Sequence, residues 1–222
     1  MTGNMRNGNR KMVGLNLGLL VLAIFFTGPF IAYAEPGECL TEDEATLARL
    51  MNEYRVEQGL EPIPVTISLS AVAQWHVWDL DVNNPVGGEC NLHSWSDGLL
   101  WTPVCYTADH ANASGMWDKP SEITSNTYTG NGFEIAYWSS GTATPSGALS
   151  GWKSSSGHND VILNAGMWDR YNPWPAMGVG MLDGYAVIWF GDRSDSQGTI
   201  PECVTTPTEQ ITWGTIKALY RP

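Results

Sequence analysis

The stretch MGVGMLDGYAVIWFG, Met177–Gly191, constrains the fold more than any other. Its residues alternate on both sides of Leu182-Asp183-Gly184, and Asp-Gly is a strong tight-turn signal. Two strands joined as a β-hairpin follow. Upstream, Thr41 and Glu44 have capping-box spacing ahead of EATLARLMNEYRVEQG. Leu47, Leu50, Met51 and Tyr54 recur at i, i+3, i+4 and i+7, which predicts an amphipathic helix stopped at Gly59. Pro62 and Pro64 interrupt the next stretch. A second helix is expected from about Ser68, in SLSAVAQWHVWDLDV, with Leu69, Val72, Ala73, His76 and Leu80 on its inner face. Between Asn83 and about Gly147 the pattern dissolves into Gly, Pro, Ser, Thr and Trp, and a short helix is expected over Gly147 to Lys153. Residues 192–222 read as loop. Helices together with a hairpin make the class α+β.

The N-terminus carries Arg6, Arg10 and Lys11, then an apolar run from Met12 that ends in Ala32-Tyr33-Ala34. That order describes a secretory signal peptide over residues 1–34, with an uncleaved anchor as the alternative. Cys39 lacks the preceding Leu-rich box that a lipid anchor needs. Residues 1–34 hold three basic residues and no acidic one, so their removal leaves 8 Lys and Arg against 23 Asp and Glu, a formal charge of −15. Such a surface argues against a nucleic-acid partner and disfavours anionic lipid headgroups. A membrane is expected to be met only through the signal segment.

All four cysteines, Cys39, Cys90, Cys105 and Cys203, follow residue 34. An even count in an exported chain implies two disulfides, with three pairings open. Cys90–Cys105 closes a local loop and Cys39–Cys203 ties the two ends together, which makes this the favoured pairing. No CxxC spacing suggests a structural zinc.

The four histidines differ in setting. His76 lies on the apolar face of the second helix, where a histidine is normally a satisfied core or boundary residue. His110, in TADHANAS, has no obvious partner. His93, in CNLHSWSDG, and His158, in SGHNDVILN, sit among small polar residues. Glu134, in GNGFEIAYW, is a carboxylate set in an apolar, glycine-rich run and needs partners if buried. Asp79, Asp81, Asn83 and Asn84 lack EF-hand spacing. Asn112-Ala113-Ser114 is a glycosylation sequon. No G-x-S-x-G elbow is present. The 11 tryptophans suit packing of irregular regions, with a sugar-binding groove as the alternative.

The order of these motifs resembles a known family. NEYR (Asn52–Arg55) and SAVAQWH (Ser70–His76) come first, then LHS (Leu92–Ser94) and the segment around Glu134. GW…SGHNDVILN (Gly151–Asn164) and GVGM…GYAVIWFG (Gly178–Gly191) close the series. The chain is similar in this to the CAP superfamily of cysteine-rich secretory proteins, antigen 5 and PR-1 proteins, and nearest to its bacterial SCP-domain branch. The resemblance spans roughly residues 44–191. It implies an α-β-α sandwich with a central antiparallel sheet over 35–191, followed by a C-terminal extension, 192–222, tied back by Cys203.

The resemblance also implies a cleft. His93 and His158 match the family's two histidines and Glu134 matches one of its acids. The second acid is missing, since Trp152 is followed by Lys153 and three serines. Two imidazoles can hold a Zn²⁺, but a catalytic zinc usually has three protein ligands. His93 and His158 are therefore the expected metal ligands of a weak site. Glu134 is expected to orient one of them or act as a general base. The function expected is an exported binding module, extracytoplasmic at the cell surface or in the periplasm, for a small apolar or anionic ligand. One alternative is a metal-assisted hydrolase using His93, Glu134 and His158 as catalytic residues. The other is a carbohydrate binder or adhesin using exposed tryptophans.

Overall fold

A computed structural model describes residues 35–98 and 100–204. The signal-peptide reading and the end of the C-terminal extension lie outside the described residues. Helix α1 spans Glu42–Glu57 and begins with the expected box: Thr41 Oγ accepts from Glu44 N–H, and the Glu44 carboxylate accepts from Thr41 N–H. Helix α2 spans Ile67–Val82. Two short helices follow, α3 (Ala113–Trp117) and α4 (Lys119–Ile123), then strand β1 (Gly132–Trp138). The long irregular stretch expected to reach Gly147 is thus broken by a strand. Alternation in GFEIAYW is masked because nearly every position is buried.

Helix α5 (Pro145–Ser154) starts slightly earlier than expected, and α6 (Ser156–Ile162) carries His158. A 3-10 turn, Gly166–Tyr171, leads to β2 (Ala176–Leu182) and β3 (Tyr185–Gly191). The hairpin is as the sequence reads, with Asp183 taking a left-handed φ of 47° in its two-residue loop. The sheet order is β1-β3-β2, antiparallel throughout.

Each face of the sheet buries its own cluster. Phe133, Ile135, Met177, Val179, Ile188 and Phe190 face α1, α5 and α6. Ala136, Val187 and Trp189 face α2 and the tryptophan-rich loop after it. This is an α-β-α sandwich built on an α+β plan.

Gly178 and Gly180 explain how α2 seats on β2. A Cβ at either position would fall onto α2 backbone, at Leu69 and at Ala73. The strand presents bare main chain to the helix, and the two approach more closely than side chains would allow.

Both disulfides form as expected, Cys39–Cys203 and Cys90–Cys105. The first is reinforced by backbone bonds between Leu40 and its partners at Pro201 and Cys203. Tryptophans 78, 95, 101, 152, 174 and 189 are buried, while Trp117 and Trp138 are exposed. Core packing therefore absorbs most of the described tryptophans. Among the described residues, no helix is long and apolar enough to cross a membrane.

Candidate functional site

Strand alternation decides the position of Glu134. Its neighbours Phe133 and Ile135 point to the α1/α5 face, so Glu134 points the other way, beneath α2. Its side chain has no solvent exposure. Two imidazoles meet it there. His76 Nδ1 pairs with Oε1, and His93 Nδ1 donates to Oε2 at 2.7 Å. Burial alone would raise the Glu134 carboxyl, but His76, and then His93, more than offset this. They hold it below the usual carboxylate range.

His76 was expected to be a satisfied core residue. It is fully buried and satisfied, yet what satisfies it is the site itself. Besides Glu134, its Nε2 donates to the Ser94 carbonyl at 3.1 Å. Its ring stacks on Trp95, with centroids 4.1 Å apart and planes 7° apart, and meets the edge of Trp189. Only one clue pointed that way: His76 lies a turn from Val72 and Leu80 on the buried face, where a polar ring has to find a partner. What the sequence did not reveal is that the partner is Glu134.

His93 reaches Glu134 because the disulfide loop delivers it. Cys90–Cys105 closes that loop, and Trp95 and Val104 exchange backbone hydrogen bonds across it. Asn91 Oδ1 accepts from the His93 backbone N–H at 3.0 Å. The His93 side chain keeps 19% of its exposure, and its ring meets the edge of Tyr106. Tyr106 OH bonds His110 Nδ1 at 2.9 Å, a partner the sequence did not suggest for His110.

His158 rides on α6, which two other motifs anchor. Tyr54 OH donates to Asn159 Oδ1 at 2.9 Å. The buried Arg55 guanidinium donates to the Ile162 carbonyl and, at 2.9 Å, to Asn164 Oδ1. A cation at a helix C-terminus is stabilising. NEYR and SGHNDVILN are thus two halves of one fastening. His158 is half-buried. Burial lowers its pKa, His93 adds to this, and Glu134 opposes it. His158 is thus coupled electrostatically to the other two. Among the described residues no hydrogen bond joins it to them.

The donor set limits what a metal could find. Both Glu134 oxygens are occupied by imidazoles. Among the described residues, no group of three or more His, Cys, Asp or Glu side chains could hold a metal ion. His93 and His158 fall short of the three protein ligands of a resident catalytic zinc. A depression of about 580 Å³ on the outer face of α1, lined by Arg49, Asn52, Glu53, Val56 and Glu57, includes none of these site residues.

No protein-family model matches the chain, and no curated protein matches it. Solved structures do. An extracellular SCP-domain protein from Bacillus anthracis aligns over 68% of this chain at 18% identity and a TM-score of 0.47. A cysteine-rich secretory protein from Staphylococcus aureus aligns over 68% at 15% identity and a TM-score of 0.43. An outer surface protein from Borrelia burgdorferi aligns over 69% at 16% identity and a TM-score of 0.45. The chain spans 40% and 39% of the first two proteins and 94% of the third. The likeness is to bacterial SCP-domain and cysteine-rich secretory proteins.

Proposed function

We propose that this chain is an exported, extracytoplasmic binding module of the CAP/SCP kind, which takes a small ligand at the edges of His93 and His158. The observation that carries this reading is the occupancy of Glu134. A general base has to be reached by the group whose proton it removes, and the Glu134 side chain has no solvent exposure and carries an imidazole on each oxygen. Its role is to orient His93, as a carboxylate behind a functional histidine does. Two disulfides support an oxidising, extracytoplasmic compartment.

The ligand class that fits is a small molecule with an apolar body and one polar head. The ring of Tyr106 lies edge-on to His93, and burial holds His158 toward its neutral form. Thermal melts with 1-octanol and with octanoate test this. At least one of them is expected to raise Tm for the native protein and neither for the His93→Ala/His158→Ala double variant. No shift with either compound, or an equal shift in the variant, would remove the binding reading. Zinc that survives purification together with cleavage of a peptide substrate would replace it with the hydrolase.

A further inference from the structure

His76 has no solvent exposure, yet acceptors face both of its ring nitrogens. Nδ1 meets the Glu134 carboxylate, and Nε2 lies 3.1 Å from the Ser94 carbonyl oxygen. A carbonyl oxygen can only accept, and an ionised carboxylate can only accept. An imidazole satisfies both by carrying N–H on both nitrogens, which makes it an imidazolium. The Trp95 face stacked beneath it, 4.1 Å away, is the negative face of a quadrupole and suits a positive ring.

Glu134 therefore has two imidazole neighbours and needs one positive charge. We propose that His76 is a positioning residue which supplies that charge, so that His93 keeps a single proton on Nδ1 and turns a bare Nε2 toward solvent. This rests on the binding reading above and deepens it. A bare imidazole nitrogen is a hydrogen-bond acceptor, so the head group received at His93 is an O–H or N–H donor rather than an anion. His76 touches no ligand. It acts through Glu134 on the proton position of His93.

Long-range ¹H–¹⁵N spectra of histidine-labelled protein at pH 7, with no ligand present, test this by reading each ring nitrogen as protonated or bare. In the native protein His76 is expected to be protonated on both nitrogens, and His93 on Nδ1 only. His76→Gln keeps a donor toward Glu134 but not the charge. In that variant His93 is expected to gain a second proton, with far-UV circular dichroism unchanged. A bare nitrogen on His76 in the native spectrum overturns the proposal, as does an unchanged His93 in a folded His76→Gln. If His76→Gln does not fold, the native spectrum decides: two protonated nitrogens on His76 with a bare His93 Nε2 support the proposal, and any other pattern overturns it. Because no ligand enters, a failed octanol titration leaves this result standing, and a failed spectrum leaves the titration standing.

Discussion

At the scale of single residues, two buried carboxylates behave in opposite ways. Glu134 has imidazoles on both oxygens and stays below the usual carboxylate range. Glu44 is equally buried, and among the described residues its donors are neutral: the Thr41 and Met181 backbone N–H groups and the Gln74 amide. Burial outweighs them and pushes it up to about 7. A carboxyl raised in the folded state favours folding while protonated. That contribution is complete below the ordinary carboxyl value of 4.5 and is lost as pH climbs to about 7. The loss corresponds to about 3 kcal/mol. Urea midpoints at pH 5 and pH 7.5 should therefore fall with pH in the native protein and change much less in Glu44→Gln. Equal slopes in both would assign the pH dependence elsewhere. Glu134 does not confound this, because its contribution disappears only as pH drops below the ordinary carboxylate value. Sequence reading placed Glu44 correctly as a helix cap. Its lack of a charged partner depends on the meeting of α1, α2 and β2, which no local pattern records.

At the scale of elements, the hairpin, both long helices and the α5 helix were legible because each announces itself by period or cap. Strand β1 was not, since GFEIAYW is buried along most of its length and loses the alternation that marks a half-buried strand. The candidate site followed the same division. His93, Glu134 and His158 stand out as polar residues in conspicuous contexts. His76 reads as core because its helix is apolar nearly all round. The strongest element-level test is the α2–β2 contact. Gly178→Ala would drive a methyl group into the α2 backbone at Leu69, which cannot yield as a side chain does. A loss of about 3 kcal/mol or more is expected, beyond the usual range of overpacking. Chemical denaturation measures it. A loss under about 1 kcal/mol would mean that the helix can lift off the strand.

At the scale of the whole molecule, the two disulfides do different work although both were foreseen from spacing. Cys90–Cys105 closes a short loop of separation 15, while Cys39–Cys203 spans 164 residues. Loop-closure entropy in the unfolded chain assigns about 3 kcal/mol to the first and about 5 kcal/mol to the second. Paired Ser substitutions should therefore lower the denaturant midpoint more at 39/203 than at 90/105. The local bridge, however, should matter more to the ligand, because its loop carries His93. A Cys90→Ser/Cys105→Ser protein is expected to stay folded and to lose the octanol shift. Loss of both fold and binding only at 39/203 would contradict that assignment.

The glycine-bare face of β2 has a mechanical consequence. Where a helix rests on side chains, compression can be taken up by rotamer changes and small voids. Where it rests on main chain, little is left to give. Under hydrostatic pressure, volume should be lost first in the aromatic packing between Phe133, Trp168, Tyr171 and Trp174. The rigid seat of α2 then acts as a stop, keeping the spacing between the helix that bears His76 and the sheet that bears Glu134 while the rest of the core gives way.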